Sequence, residues 1–330
     1  MLTKIGESSY EGQPAYVLES ERARVIVLPH ISGKIASLVD ESTGRELLWR
    51  NPERGYQEPL YGSGWAEYDM SGWEDCFPTV AASEYPEPPW DGIPLPEHGE
   101  VWAVPWDARA TDETVELVTH GVRLPYRFEK SISIEGNRVR LHHRLINPST
   151  FPIRYVWATH PLFDVRPGTR IVLPKVTSVL VDWSRNDRLG GYLDELSWPV
   201  GQDTQGRPVQ LDRIGEPQLG YAEKLYTSRV TEGWCGLYDP ENGNAVVLTF
   251  DARQLPYVGV WINQGGYPLD GVPCYNVALE PTCGYPDLLD VACSRGATAT
   301  VSPGQQQEWT VGLLFGSVGS VESLLGDLRA

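Results

Sequence analysis

Residues 274–287 read Cys-Tyr-Asn-Val-Ala-Leu-Glu-Pro-Thr-Cys-Gly-Tyr-Pro-Asp, where the carboxylate of Glu280 closes the otherwise apolar run 276–279. The run predicts a strand, and Pro281 is predicted to end its pairing because proline has no N–H to donate. This pattern places Glu280 at the mouth of a sheet, where it is a candidate catalytic base. The alternative is an ordinary strand end in solvent, since charged residues are mostly exposed.

The same pattern occurs earlier in the chain. Residues 153–159 predict an apolar strand that ends in His160, and Pro161 follows at once. Both His160 and Glu280 are therefore predicted to lie at the same rim of a sheet. The alternative for His160 is a ring that hydrogen-bonds a backbone carbonyl.

Strand patterns recur along most of the chain. They are found at residues 16–28, 31–49, 114–118, 126–134, 138–146, 236–238, 245–250, 257–263 and 307–315. Only residues 320–328 have a helical pattern. Many short strands with few helices predict an all-β protein, a large antiparallel two-sheet sandwich, formed as one domain over residues 1–330.

Composition narrows the range of partners. The net charge of −17 over 330 residues disfavours nucleic acid and membrane surfaces, which are bound through clustered Lys and Arg, and favours neutral small molecules. The N-terminus has no long apolar core, and the five cysteines form no CxxC pair, which favours reduced thiols. We therefore expect a cytoplasmic protein.

Residues 51–99 form a long loop region that is rich in Gly, Pro and aromatic residues. Long loops within compact domains tend to carry function. The segment 71–79 holds Trp73, Glu74 and Asp75, and the region ends with His98 directly before Gly99. These residues are candidates for a binding site.

Three short motifs now stand in order: His98-Gly99, Thr-His-Pro-Leu-Phe at 159–163 and Ala-Leu-Glu-Pro-Thr at 278–282. Together with Tyr-Val-Gly-Val-Trp at 257–261, they resemble the aldose 1-epimerase (galactose mutarotase) family over most of the chain. The segment 72–79, Gly-Trp-Glu-Asp-Cys-Phe-Pro-Thr, is similar to a loop of less-studied bacterial members.

The resemblance implies a galactose mutarotase-like β-supersandwich whose concave face binds a hexose, without a metal or a cofactor. In such an isomerase, which interconverts the α and β anomers of a free aldose, His160 would be the general acid that protonates the ring oxygen. Glu280 would be the base that takes the proton of the C1 hydroxyl. His98 would bind the sugar near the ring oxygen.

The chemistry of the residues agrees with this role. Opening a hemiacetal needs one proton removed and another supplied, and a carboxylate with a histidine suits that task near neutral pH. For binding, we expect Trp73 to stack on the sugar ring. Its hydroxyls are expected to bind Asp75, Asn263 or Gln264. The adjacent His142 and His143 point to opposite faces of a strand and are interpreted as structural.

Two features of common mutarotases are absent from their usual positions. Arg50 beside Asn51 is a possible substitute for an Arg that precedes the first His, and Asp251 or Asp182 for a sugar-binding Asp between His160 and Glu280. The identity of the aldose is therefore open.

Two other functions fit the same fold. A non-catalytic carbohydrate-binding protein would not need both His160 and Glu280. For either function we expect a monomer or a homodimer. A glycoside-active enzyme would need two carboxylates that flank the bond, and Glu74, Asp75 or Glu97 could join Glu280. A phosphosugar enzyme should show paired Arg, and residues 65–90 contain none.

Overall fold

Short strands make up nearly half of the chain in the computed structural model, which describes residues 3–329 and side chains up to residue 326. The first nine strands are β1 (Lys4–Tyr10), β2 (Gln13–Glu19), β3 (Ala23–Leu28), β4 (Lys34–Asp40), β5 (Arg45–Glu46), β6 (Trp73–Cys76), β7 (Ser83–Glu84), β8 (Pro94–Leu95) and β9 (Asp107–Ala110). The next nine are β10 (Val115–His120), β11 (Arg127–Glu135), β12 (Arg138–Ile146), β13 (Ile153–Tyr155), β14 (Ala158–Phe163), β15 (Arg170–Val172), β16 (Ser178–Ser184), β17 (Glu195–Ser197) and β18 (Val200–Gln202).

The remaining strands follow residue 207, and both α-helices of the described residues lie among them and after them. The strands are β19 (Pro208–Gln210), β20 (Tyr221–Thr227), β21 (Trp234–Tyr238), β22 (Asn244–Phe250), β23 (Tyr257–Gln264), β24 (Tyr275–Thr282), β25 (Ala299–Val301) and β26 (Gln306–Ser317). The helices are α1 (Leu289–Ser294) and α2 (Val321–Arg329), and single 3-10 turns occur at Trp65–Glu67, Val101–Ala103, Arg185–Asp187 and Pro217–Leu219.

Most strands belong to two sheets. The larger has 12 strands in the order β1-β2-β3-β4-β6-β14-β24-β23-β20-β16-β17, with β5 paired to β4. The smaller has eight in the order β15-β21-β22-β26-β12-β11-β10-β9. The central pairs of both sheets are antiparallel. The predicted all-β fold with large antiparallel sheets is confirmed.

The two sheets pack face to face. β12 alternates buried and partly exposed residues, as expected for a strand with one face on the core. In contrast, every residue of β4, β6 and β14 is buried. These central strands of the larger sheet are covered on the inner face by the smaller sheet. On the outer face Trp49, Trp65 and Trp102 pack on Leu162 of β14 and Ala278 of β24.

The predicted position of Glu280 at a sheet mouth is wrong. β24 continues through Pro281, which lies opposite Val258, and Glu280 is in the middle of the 12-stranded sheet. β14 likewise runs through Pro161. Proline removes one donor but leaves the extended backbone possible, so it ends a ladder only where its N–H is needed. Both ionisable residues therefore lie mid-sheet and are buried.

No helix among residues 3–329 is long and apolar enough to cross a membrane.

Candidate active site

One row of side chains crosses the middle of the larger sheet. Glu74 on β6 pairs in register with His160 on β14, and the pairs on either side of His160 place it across from Glu280 on β24. Glu280 pairs in turn with Gly259 on β23. An ion pair of Glu74 with Lys34 on β4 extends the row. Residues opposite one another on antiparallel strands share a face, so these side chains meet on the outer face.

His160 and Glu280 face each other within this row. His160 Nε2 lies 3.8 Å from Glu280 Oε1, too far for a direct hydrogen bond. Glu280 Oε1 and His160 Nδ1 have no hydrogen-bond partner among the described residues, although Glu280 is 0% and His160 5% exposed. Buried polar atoms are nearly always paired. Glu280 Oε1 and His160 Nδ1 are therefore the atoms of the pair that remain available to a polar group of a ligand.

A buried lysine lies behind Glu280. Lys224 Nζ forms an ion pair with Glu280 Oε2 and lies 3.5 Å from Asp287 Oδ1. Burial raises the pKa of Glu280, and the ammonium group of Lys224 opposes that rise. Burial and the neighbouring Asp287 raise the pKa of Asp182 to about 8. Lys224 thus stabilises the carboxylate form of Glu280 where water is excluded.

Gly259 leaves room for the carboxylate of Glu280. It lies on β23, between the strands that carry Lys224 and Glu280. A Cβ atom at this position would stand 3.2 Å from Glu280 Oε2 and 3.3 Å from Tyr226 Cε1. Because glycine has no side chain, the paired oxygen of Glu280 can lie close to the backbone of β23.

Glu74 holds a second histidine beside the first. His98 Nδ1 lies 3.3 Å from Glu74 Oε1, and Trp65 Nε1 donates to the same oxygen. Lys34 Nζ lies 3.2 Å from Glu74 Oε2. Burial would raise the pKa of Glu74, but Lys34 and His98 lower it to about 2. Glu74 is therefore an acceptor that orients His98, whose ring lies 4.8 Å from that of His160.

The backbone around His98 is locally strained and tightly packed. His98 has φ +58° and Gly99 has φ +73°. A Cβ at Gly99 would lie 2.0 Å from the carbonyl oxygen of Phe77, so only glycine fits there. The His98 N–H donates to Val80 O at 2.6 Å. These contacts fix the imidazole over the sheet.

Trp65 covers the two histidines. Its ring stacks on His98 with centroids 4.5 Å apart and meets His160 edge-on at 5.4 Å. Its backbone N–H donates to Glu97 Oε2 at 3.2 Å. The loop that carries Trp65 thus separates the outer face of the row from solvent.

Glu74, His98 and His160 also offer three possible metal-ligand atoms within 4.8 Å of one another. Two histidines and a carboxylate suit a transition metal. However, both oxygens of Glu74 already contact donors, and one of these is the ammonium group of Lys34. A cation would lie next to that positive charge. The donor set fits a hydrogen-bond network better than a metal ion.

Two predicted binding residues lie on the opposite face of the sheet. Because side chains alternate along β6, Trp73 and Asp75 point into the sandwich while Glu74 points outward. Trp73 Nε1 donates to Thr159 Oγ1 at 2.5 Å. Asp75 pairs with residues of the smaller sheet and Trp157, all buried: Lys130 Nζ at 2.8 Å, His143 Nε2 at 3.0 Å and Trp157 Nε1 at 3.2 Å. Neither prediction as a sugar contact fits this placement.

His143 belongs to that interior cluster, whereas His142 points to the other face and is 39% exposed at its side chain. The structure thus separates the two histidines as predicted.

Asn263 and Gln264 each bind the backbone of a loop. Asn263 Oδ1 accepts the backbone N–H groups of Gly266 and Tyr267, and its Nδ2 donates to Tyr267 O. Gln264 Oε1 accepts the Gly215 N–H at 2.6 Å. Both side chains therefore hydrogen-bond the protein backbone, which does not fit their predicted role as sugar contacts.

The suggested substitutes for the missing Arg and Asp lie in different places. Arg50 pairs with Glu11 at the surface, and Asp251 pairs with the exposed Arg253. Only Asp182 lies near the row, through the Asp287 N–H at 3.1 Å.

The cations that do reach the row, Lys34 and Lys224, were not predicted. One sequence signal was present: each is a lysine inside a run that folds as a buried strand. A lysine is almost never fully buried without a partner. Their carboxylate partners come from distant parts of the chain and could not be read from sequence.

Comparison by sequence identifies no relative: no family model matches the chain, and neither does any curated protein. Comparison by structure gives many matches. The sandwich and its two large sheets define a protein of the galactose mutarotase-like fold, which confirms the resemblance at the level of the fold.

Three solved structures illustrate the match. The Slr1438 protein from Synechocystis sp. PCC 6803 has a TM-score of 0.71 at 17% identity, over 94% of this chain and 99% of that one. A galactose mutarotase related enzyme from Lactobacillus acidophilus has 0.67 at 14%, over 92% and 97%. A galactose mutarotase-like protein from Clostridium acetobutylicum has 0.64 at 13%, over 96% and 99%.

Proposed function

We propose that the protein is an aldose 1-epimerase that interconverts the α and β anomers of a free aldose. The observation that carries the proposal is the pair His160 and Glu280: His160 Nε2 lies 3.8 Å from Glu280 Oε1, and neither Glu280 Oε1 nor His160 Nδ1 has a hydrogen-bond partner among the described residues. An acid and a base side by side are the equipment that hemiacetal opening requires.

The reaction follows from the two groups. Glu280 takes the proton of the C1 hydroxyl, the O–H electrons form the C1 carbonyl, and the bond from C1 to the ring oxygen breaks. His160 gives its proton to that ring oxygen. After rotation about the C1–C2 bond, closure on the other face returns both protons. No proton is gained or lost over the cycle.

The environment suits a reversible exchange. Burial, the neighbouring His98 and the two lysines lower the pKa of His160, while burial raises the pKa of Glu280. The imidazolium becomes a stronger acid and the carboxylate a stronger base than either is in water. The pKa values of donor and acceptor approach each other, which favours proton transfer in both directions.

The cations of the row support a neutral substrate. Lys34 is neutralised by Asp69 and Glu74, and Lys224 by Glu280 and Asp287. A phosphate or carboxylate on the sugar would have to compete with these carboxylates. The proposed substrate is therefore an uncharged aldose, consistent with the net charge of −17.

The contacts of Glu74 disfavour a glycosidase. Glu74 and Glu280 are two strand spacings apart, about 10 Å along the sheet, but His160 lies between them. A glycosidase needs one protonated carboxyl group as its acid. Lys34 keeps Glu74 ionised, with its pKa at about 2, and Lys224 pairs with Glu280.

Polarimetry of freshly dissolved α-D-glucose and α-D-galactose tests the function. We expect wild-type protein to accelerate equilibration, and both Glu280→Gln and His160→Gln to lose on the order of 10²-fold or more of that acceleration. Circular dichroism verifies that each variant is folded. If folded wild-type protein accelerates none of a panel of aldoses, the proposal is wrong and non-catalytic sugar binding becomes the better interpretation.

A further inference from the structure

Accessible tryptophans are concentrated at one place on the outer face. All 12 tryptophans lie within the described residues; nine are buried, and only Trp90, Trp183 and Trp261 are partly exposed. Trp183 and Trp261 stack with centroids 6.0 Å apart, and the partly exposed Tyr267 packs edge-on against both. We call Trp183, Trp261 and Tyr267 the aromatic platform.

The aromatic platform shares its face with the acid–base pair. Trp183 on β16 and Trp261 on β23 lie on either side of Lys224 in register. Since Lys224 reaches Glu280 from this face, the indoles flank the cation that holds the proposed base. The platform is therefore continuous with the candidate active site.

The rings are held before any ligand binds. Trp261 Nε1 donates to Asn276 Oδ1 at 3.2 Å. Tyr267 is fixed through its backbone, which Asn263 binds from both sides. A surface whose side chains are already ordered loses little conformational entropy on binding.

The distance from the reacting groups indicates what the platform binds. β20, which lies beneath the stacked indoles, is two strands away from β24. Lys224 is also two residues along β20 from Tyr226, which lies opposite Gly259 in the row of Glu280. With about 4.8 Å between strands and about 3.4 Å per residue, the separation is about 12 Å. One pyranose ring does not span it, but two linked rings do.

We propose that the aromatic platform binds the second sugar unit of a reducing oligosaccharide whose terminal aldose occupies the His160–Glu280 site. This inference rests on the proposed function and extends it to a class of substrate. Indole faces are large, rigid and apolar, and they match the apolar C–H face of a sugar ring. The polar edges of the sugar remain free to bind water.

The first experiment compares kcat/KM for mutarotation of maltose, cellobiose and lactose with that of glucose and galactose. Trp183→Ala is the test variant, and Trp90→Ala is the matched control, since it removes the one partly exposed indole outside the platform. We expect the ratio of disaccharide to monosaccharide kcat/KM to fall on the order of tenfold in Trp183→Ala for at least one disaccharide. An equal ratio in wild type and both variants overturns the proposal.

The second experiment is independent of mutarotation. Calorimetric titration with the methyl glycosides of maltose, cellobiose and lactose, which cannot open their rings, measures binding alone. Binding that Trp183→Ala weakens on the order of tenfold relative to Trp90→Ala supports the platform even if polarimetry refutes the proposed function. No binding of any of the three, or equal binding by both variants, refutes the platform while leaving monosaccharide mutarotation to stand on its own test.

Discussion

Lys224 and Glu280 form an ion pair across an intervening strand, and neither is appreciably exposed to solvent. Gly259 lies on the intervening strand, where a Cβ would stand only 3.2 Å from the paired oxygen of Glu280. Buried charges persist in proteins when they are paired, and removal of one partner leaves the other uncompensated. Lys224 therefore pairs with one oxygen of the proposed base, Glu280 Oε2. The other oxygen, Oε1, is left to accept the proton of the substrate.

We expect Lys224→Met to move the acidic limb of the activity profile to higher pH. Lys224 opposes the burial that raises the pKa of Glu280. Without the ammonium group the pKa of Glu280 rises further, so the active carboxylate form is lost at a higher pH than in wild type. The shift should be about one pH unit or more. Lys224→Arg keeps the charge and serves as the control.

Two measurements check this prediction. The pH dependence of kcat/KM reports the free enzyme, and NMR titration of ¹³C-labelled glutamate follows the carboxyl group directly. An acidic limb that is the same in wild type and Lys224→Met would contradict the assigned role.

Under the proposed function, mutarotation by the wild-type protein should have a narrow pH optimum on the acidic side of neutrality. His160 must be protonated, and its lowered pKa means that activity falls as pH rises through a value below the ordinary 6.5. Glu280 must be ionised, and its raised pKa means that activity falls as pH decreases through a value above the ordinary 4.5. A profile of kcat/KM that stays flat from neutral to alkaline pH would show that His160 is not the acid.

His98 should carry its proton on Nδ1. With its pKa at about 2, Glu74 is ionised near neutral pH and can only accept, so the nitrogen that faces it must donate. Nε2 is then left as an acceptor for a sugar hydroxyl. ¹⁵N chemical shifts of the imidazole distinguish the tautomers. Glu74→Gln should weaken this preference and raise KM more than it lowers kcat, whereas the opposite tautomer in wild type would refute the orientation.

Asp75→Asn should destabilise the fold by about 3–5 kcal/mol, because it leaves the buried Lys130 without its carboxylate. Urea unfolding at neutral pH measures the loss. Asp251→Asn, which alters an exposed pair, should change the free energy of unfolding little. The double variant Asp75→Asn/Lys130→Met should recover part of the loss, and strictly additive effects would contradict a direct pair.

The same carboxylate predicts part of the acid sensitivity. Burial opposes ionisation of Asp75, but Lys130 and His143 hold its pKa well below the usual 3.8. A lowered pKa stabilises the fold above the unfolded-state value and loses that contribution as pH falls through the folded-state value. The unfolding free energy of Asp75→Asn should therefore depend less on acid than that of wild type.

The fold was predictable because the strand signals are local. The pattern of residues 138–146 gave β12 with its bounds, and 257–263 gave all but one residue of β23. The prediction that strand pairing ends at Pro281 was wrong because a proline shows only that one N–H donor is missing. Whether the ladder needs that donor depends on the partner strand, which lies elsewhere in the chain.

For the site, the sequence brought forward His98, His160 and Glu280, and the structure places them on one face of one sheet. The sequence could not show which of the neighbours Glu74 and Asp75 points toward the site and which points into the sandwich. Alternation predicts that neighbours point to opposite faces but does not tell which face is inside. Contacts across the sandwich settle that question, whereas Lys224 became relevant only through its contact with Glu280 within the larger sheet.

The neighbours Glu74 and Asp75 also specify how their strand aligns. Glu74 meets Lys34 on the outer face, and Asp75 meets Lys130 on the inner one. If β6 shifted by one position in either direction, one lysine would face an uncharged side chain, and one carboxylate would enter an apolar position of the core. A shift in either direction would leave two buried charges without partners, and unpaired buried charges strongly destabilise a fold. The two adjacent acids thus specify the register of the strand that carries them.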